Sequence, residues 1–239
     1  IGNNFVYNKV TNILNVSGNV KLFSSRDDVV IFSDKATYLK NDEIIFTEGN
    51  SKAVNENNII TADKFNFDKI KNILKAETNV KFEDKKEQTL IFSDKATYLK
   101  NDEIIFTEGN SKAVNENNII TADKFNFDKI KNILKAETNV KFEDKKEQTL
   151  IFSDKATYLK NDEIIFTEGE TNAFSQKKYK FKSKNVTYSK KDESLKSLEK
   201  SLVEDNNGNI YNLDSFFYKV NDKILKGKNV NVFSKVNDK

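Results

Sequence analysis

The side chains that could do chemistry in this chain are few, and the most regular of them form a column of aspartates. The sequence has no histidine and no cysteine, so the usual general bases, nucleophiles and soft metal ligands are missing. Aspartates recur about one repeat unit apart, at Asp34, Asp63, Asp94 and Asp123. Such a column could imitate a calcium ladder or a polysaccharide-cleaving site. Because a lysine follows each of them, turn chemistry and charge balance are favoured, and we predict no enzyme, no metal and no cofactor.

Composition narrows the class of protein further. Lysine and arginine (40) nearly balance aspartate and glutamate (37) and are interspersed with them, so nothing predicts a nucleic-acid partner. Apolar runs such as 29–32 reach only about four residues, so we expect neither a membrane span nor a signal sequence in these residues. We therefore expect a cytosolic protein or a mature fragment. With 32% charged residues, a thin, extended core is favoured over a round one.

Hydrophobic periodicity predicts strands. Leu74, Ala76, Thr78, Val80 and Phe82 alternate with polar residues, which is typical of a half-buried strand and argues against a helix over 68–77. The alternation changes phase near residues 63–64, which predicts a bend or bulge there. Turns are predicted at residues 68–72, 84–87 and 206–208.

The chain is also an internal repeat. Residues 31–109 recur without substitution at 91–169, which gives a 60-residue period with copies at 31–90, 91–150 and, in part, 151–169, followed by divergent coils at 170–239. Because the solvent face is copied as faithfully as the core, we interpret the duplication as recent or engineered. A degenerate unit of about 30 residues lies beneath it. Its eight members each carry an aromatic pair, or a small residue with an aromatic one, at 5/7, 36/38, 65/67, 96/98, 125/127, 156/158, 186/188 and 216/218.

These patterns predict one all-β domain over residues 1–239, an elongated solenoid of about eight stacked coils with two facing sheets. Large and small inward residues alternate between coils, with Val80 and Phe82 in one and Ser111 and Ala113 in the next. This alternation has two interpretations: the residues interlock in a closed core, or the small ones leave an apolar trough for a long ligand.

The coils resemble a known family. The segment Ala62-Asp63-Lys64-x-x-Phe67, the pair Ile73-Leu74 and Gly-Asn steps such as Gly109-Asn110 are similar to the OstA-like domain, found in the periplasmic lipopolysaccharide-transport protein LptA and the amino-terminal part of LptD. The likeness covers essentially the whole chain. The last coil departs from it, because the interval 225–230 is one residue shorter than the interval 14–20.

The resemblance implies that the solenoid is an elongated β-jellyroll or β-taco of antiparallel strands. It also implies a periplasmic protein, associated with outer-membrane assembly, that shields lipid A acyl chains of lipopolysaccharide between two sheets. It also implies partners among the other transport components through edge-strand pairing, and exposed end strands predict head-to-tail self-association. The alternative is an engineered β-solenoid scaffold with a closed core. The residues expected to line the groove, or else to fill the core, are Phe65, Phe67, Leu74, Ala76, Val80, Phe82, Tyr98, Ile105, Phe125, Phe127, Leu134, Ala136, Val140, Phe142 and Tyr158.

Overall fold

The chain folds into antiparallel β-strands, which confirms the all-β prediction. The computed structural model describes residues 1–24, 29–176 and 178–235, and these form strands and turns without any helix. Within that part of the chain, no helix is long and apolar enough to cross a membrane. The chain divides into two compact units, Ile1–Glu116 with Asp128–Ile130 and Asn117–Phe127 with Lys131–Lys239.

In the first unit every strand pairs antiparallel with the next one along the chain. The predicted turns at 68–72 and 84–87 separate neighbouring strands, because Asp68 and Asp84 each accept a hydrogen bond from the backbone N–H three residues later. The strands are β1 (Asn4–Asn8), β2 (Ile13–Ser24), β3 (Val29–Leu39), β4 (Ile44–Val54), β5 (Asn58–Asp68), β6 (Ile73–Asp84), β7 (Thr89–Leu99) and β8 (Ile104–Asn115).

Strands β2 to β8 are bent near their middle. The register between β6 and β7 shifts between Glu77 and Val80, where Thr78 and Asn79 have φ of 64° and 55°. The predicted unbroken alternation through Thr78 is therefore wrong: this side chain is exposed, because the extra residue of a β-bulge turns it outward. The irregularity predicted near residues 63–64 is confirmed, since β5 and β6 shift register between Thr61 and Lys64.

The aspartate column holds these bends. The Asp34 carboxylate accepts a hydrogen bond from the Asn50 side-chain amide at 2.9 Å, directly after Gly49, whose φ is 79°. Asp94 accepts the same bond from Asn110 at 2.9 Å. The described residues contain no group of three or more acidic side chains that could hold a metal ion. The column therefore consists of cross-strand hydrogen bonds at the bends, not of the local turn contacts that the sequence favoured. The remaining pairs are Asp63 with Asn79 and Asp123 with Asn139, both at 3.1 Å.

Two glycines in nearly identical sequence contexts allow the role of Asp94 at the bend to be tested. Gly109 and Gly169 have φ of 76° and 83°, but a methyl group on Gly109 would clash with the Asp94 side chain, whereas one on Gly169 would meet nothing within 4 Å. We expect Gly169→Ala to cost about 1–2 kcal/mol of unfolding free energy through backbone strain. Gly109→Ala should cost about 1 kcal/mol more, because Asp94 must move away from Asn110. Denaturant unfolding measures both, and equal losses would contradict the role of Asp94.

The bend divides each long strand into two halves that form two facing layers. We call the halves before the bend of β2 and β6 (residues 13–17 and 73–77), with their paired neighbours, the first layer, and the halves after it (20–24 and 80–84) the second layer. Phe82 of the second layer meets Tyr98 of the first, with ring centroids 5.8 Å apart. The core of this unit therefore lies between the layers.

In the second unit the long strands give way to separate short ones. The first half of β12 pairs with β14 and its second half with β13. Two runs follow, β14-β15-β18-β19 and β13-β16-β17-β20. The strands are β9 (Asn118–Asp128), β10 (Ile133–Asp144), β11 (Thr149–Leu159), β12 (Ile164–Ser175), β13 (Tyr179–Lys184), β14 (Thr187–Ser189), β15 (Ser194–Ser197), β16 (Ser201–Asp205), β17 (Ile210–Leu213), β18 (Ser215–Lys219), β19 (Ile224–Lys228) and β20 (Asn231–Phe233).

The small inward residues lie at the crease between the layers. Ser111 and Ala113 are buried, as predicted. The Ser111 and Thr107 hydroxyl groups lie 2.7 Å apart and hydrogen bond across the bend, and Thr47 and Ser51 repeat the pair at the same distance. Short polar side chains that satisfy each other fit a sharp fold in the sheet, which favours interlocking packing at this point.

Candidate functional site

The fifteen residues expected to line a groove are all buried. Tyr158 is the most exposed of them, at 8%, and Phe127, Phe142 and Ile105 are only 1% exposed. Phe82 packs on Tyr98, and Phe142 packs on Tyr158 with ring centroids 6.2 Å apart. These side chains form the interior of the two units, and their role as groove lining stays a prediction.

One end of the first unit keeps an apolar cavity between its layers. The cavity has a volume of about 170 Å³. Phe67 belongs to both the predicted set and the cavity wall, and it also borders a smaller space of about 20 Å³ together with Leu74 and Tyr98. The walls of the larger cavity are formed by Leu14, Val16, Leu22, Phe23, Val29, Ile31, Ala36, Tyr38, Ile45, Phe67 and Lys69.

The cavity exists because the first coil departs from the exact repeat. Strand register places Leu22 opposite Ile31, as Phe82 lies opposite Ile91. The smaller leucine leaves the space that the Phe82 ring fills 60 residues later. In consequence Tyr98 is only 3% exposed, whereas the corresponding Tyr38 is half-buried. The contrast between Leu22 and Phe82 is the sequence signal that could have located this cavity.

A charged cluster lies at the cavity wall. The Lys69 ammonium is 2.7 Å from the Glu43 carboxylate and 5.5 Å from the centre of the Tyr38 ring. Tyr38 donates a hydrogen bond to Glu43 at 2.9 Å. Burial, followed by this hydrogen bond, raises the pKa of the Tyr38 hydroxyl. Sequence analysis identified Tyr38 as a member of a recurring pair but did not connect it with Lys69 and Glu43, because a lysine and a glutamate at these spacings resemble ordinary turn residues.

The same cluster recurs 60 residues later in a sealed form. Lys129 lies 2.8 Å from Glu103, and Tyr98 donates a hydrogen bond to Glu103 at 2.6 Å. Lys129 also contacts Asp84 at 3.3 Å, and these two side chains are only 10% and 2% exposed. The Lys129 ammonium lies 5.4 Å from the centre of the Phe82 ring. Because Lys129 and Asp84 come from opposite layers, the ion pair closes the interior here.

Buried tyrosines should make the second unit sensitive to alkali. Burial, reinforced by the negative charges of Glu163 and Asp144, raises the pKa of Tyr158 to about 12. The unfolded-state pKa is about 10, so the stabilisation is fully present below about pH 10 and is lost as pH rises through about 12. We expect Tyr158→Phe to reduce this alkaline loss. Denaturant unfolding near pH 9 and pH 11 measures it, with tyrosinate absorbance as the titration signal, and an unchanged pH dependence in the variant would contradict the assignment.

The cavity and the charged cluster at its wall are suited to binding a ligand. An apolar cavity with an ammonium group at its wall suits a ligand that joins an apolar part to an anionic part.

Comparisons with known proteins find partial likeness among solved structures. No protein-family model and no curated protein matches the chain. Among solved structures, the chain is similar to the crystal structure of LptH, the LptA homologous periplasmic component of the conserved lipopolysaccharide transport device from Pseudomonas aeruginosa. The sequences are 9% identical, the alignment covers 63% of this chain and 96% of that chain, and the TM-score is 0.39. The likeness at this level carries no argument about function, so the function proposed below rests on the residues of this chain.

Proposed function

We propose that this protein binds the acyl chains of an amphiphilic lipid between its two β-layers. The observation that carries the proposal is the apolar cavity of about 170 Å³ in the first unit, walled by residues of both layers. Burying an acyl chain gains about 0.8 kcal/mol per methylene and needs no catalytic group. Binding a lipid and then passing it to another protein therefore needs no histidine or cysteine, which this chain lacks.

More specifically, we propose that the bound lipid is lipopolysaccharide. Its support is the resemblance of the coils to the OstA-like domain, carried by motifs such as 62–67 and the Gly-Asn steps. The protein would then act in the periplasm as a transport component. It would meet partner components through edge strands such as β1, where Phe5 is 75% exposed and Val6 67% exposed. We also propose that residues 1–239 form one domain of this kind and that copies of the chain associate head to tail.

Site-specific photo-crosslinking tests the proposal with a control inside the chain. A photoreactive phenylalanine analogue replaces Phe67, which lines the cavity, or Phe127, its counterpart in the repeat, which is 1% exposed. We expect an adduct with lipopolysaccharide at position 67 and little or none at position 127. Lys81, on the outward face of β6, serves as a surface control. Absence of an adduct at position 67 in a folded variant, or equal labelling at all three positions, would contradict the proposal.

A second candidate function is that of a β-solenoid scaffold without an interior ligand. The observation that favours it is the complete burial of residues such as Phe127 and Phe142 in the repeated coils. The same crosslinking experiment separates the two candidates, because a scaffold with a closed core gives no adduct at position 67.

A further inference from the structure

Lys129 lies in a complete ammonium cage in the first unit. Its nitrogen is 2.8 Å from the Glu103 carboxylate, 2.8 Å from the Asn58 amide oxygen and 3.3 Å from the Asp84 carboxylate. Three acceptors match the three N–H donors of an ammonium group. The centres of two aromatic rings lie 5.4 Å and 5.8 Å from the nitrogen, within the range of cation–π attraction. We call the five residues around this nitrogen the first cage: Asn58, Phe82, Asp84, Tyr98 and Glu103.

The exact repeat supplies the same five residue types to the second unit. The Lys145 backbone N–H donates to the Asn117 carbonyl at 3.0 Å, which brings Asn118 beside Asp144 in two paired strands. The equivalent backbone hydrogen bond in the first unit has the same length. We call the residues 60 positions after the first cage the second cage: Asn118, Phe142, Asp144, Tyr158 and Glu163.

The lysine at the second cage stays at its edge. Lys190 corresponds to Lys129 because its backbone N–H donates to the Glu163 carbonyl at 2.9 Å, as that of Lys129 donates to the Glu103 carbonyl at 3.0 Å. The Lys190 ammonium is 3.6 Å from the Glu163 carboxylate. Among the described residues it pairs with this one acceptor, whereas Lys129 has three.

A tyrosine accounts for this difference. Tyr188 stands two residues before Lys190, where the first unit has Phe127, and its hydroxyl donates to the Asp144 carboxylate at 3.0 Å. Asp144 is only 1% exposed and pairs with no lysine of the described residues. The Asn118 side-chain oxygen is also buried, and it has no hydrogen-bond partner there. Because a buried acceptor without a donor carries a desolvation cost, the second cage favours a group that brings N–H donors.

We propose that the second cage binds a small primary ammonium ion, either ammonium itself or methylammonium. Its N–H groups donate to Asn118, Asp144 and Glu163, and its charge faces the Phe142 and Tyr158 rings, as the Lys129 ammonium does in the first cage. The inference concerns the second unit and is independent of the proposed lipid binding in the first.

The ligand enters the second cage from the side of Glu163. This side chain is 49% exposed, whereas Asp144 and Phe142 are each 1% exposed. A bound ammonium ion replaces Lys190 as the partner of Glu163. The Lys190 side chain, already 16% exposed, then turns into solvent.

Urea unfolding of the intact chain in matched salts tests the proposal. The salts are the chlorides of ammonium, methylammonium, tetramethylammonium and potassium at one concentration. We expect only ammonium and methylammonium to raise the urea midpoint, because the other two cations have no N–H donor. At ten times its Kd, the ligand should raise the ratio of folded to unfolded chains about tenfold. Equal midpoints in the four salts, or an equal rise in potassium chloride, would overturn the proposal.

Two asparagines at equivalent positions of the repeat provide the matched variants. Asn118→Leu removes an oxygen that has no partner, so it should not lower the midpoint in potassium chloride and should abolish the ammonium effect. Asn58→Leu removes an acceptor that Lys129 uses at 2.8 Å, so it should lower the midpoint in every salt and keep the ammonium effect. An ammonium effect that survives in Asn118→Leu contradicts the assignment.

Lys190→Met tests whether the protein's own lysine is the true occupant of the second cage. We expect the wild type and this variant both to respond to ammonium, since Lys190 contacts only the exposed glutamate. A response confined to Lys190→Met would mean that Lys190 fills the cage in solution, and the proposal would be overturned.

Discussion

Replacing Lys129 with methionine is expected to lower the free energy of unfolding of the first unit by about 3–5 kcal/mol. The substitution leaves the Asp84 carboxylate, whose side chain is 2% exposed, without the cation that now lies 3.3 Å away. It also leaves Glu103 without its 2.8 Å partner. A buried charge that has lost its partner retains its desolvation penalty, and this penalty dominates the expected loss. Denaturant unfolding followed by circular dichroism measures it.

Lys69→Met is the matched control for this prediction. Lys69 has the same local sequence, but its side chain is 24% exposed and its partner Glu43 is 41% exposed. A pair so accessible to water is worth about 1 kcal/mol or less. The double variant Lys129→Met with Asp84→Leu should recover much of the lost stability, because it removes both charges of the buried pair. Equal losses for the two single variants would mean that burial does not decide the effect.

Phe181→Ala is expected to destabilise the second unit by about 3–5 kcal/mol. The Phe181 side chain is fully buried, and its ring centre lies 5.0 Å from that of Phe216 and 5.1 Å from that of Tyr218. These contacts join β13 to β18, which belong to the two different runs of strands in this unit. Truncation would therefore open a cavity between layers that have no strand pairing with each other at this point.

The control for Phe181 is an aromatic residue on the outward face. Phe217 adjoins Phe216 in β18 but is 38% exposed. Phe217→Ala should cost clearly less, about 1–2 kcal/mol, because the Phe217 ring is partly in water already and its removal leaves no enclosed cavity. If thermal unfolding showed similar losses for both variants, the packing between the two runs would not be the main source of stability in this unit.

Local sequence determined much of the secondary structure. The alternation of Leu74, Ala76, Val80 and Phe82 with polar residues predicted a strand, because a strand places successive side chains on opposite faces. It also placed these four residues in the interior correctly. The alternation missed the bulge, in which Thr78 and Asn79 both have positive φ, because the inward positions on either side of it, such as Ala76 and Val80, are all even-numbered.

The role of the aspartate column needed partners that are distant in sequence. The sequence favoured turn chemistry over calcium binding for Asp34, because a lysine follows it. Its actual partner, Asn50, lies 16 residues away on the neighbouring strand. Only strand pairing, with its register shift, brings the two side chains within hydrogen-bonding distance.

The sequence by itself determined the repeat, the strands and the inward-facing residues, because these follow from local periodicity and identity. It did not distinguish between copies of the same residue. Lys69 and Lys129, or Tyr38 and Tyr98, have the same sequence neighbours, yet one member of each pair lies at a cavity and the other in a sealed cluster. Tertiary structure decided this difference. The Phe82 ring packs on Tyr98 and lies beside Lys129, and Asp84 pairs with Lys129, although these residues are 16, 47 and 45 positions apart. At these two positions the repeat changes, from Leu22 to Phe82 and from Ser24 to Asp84.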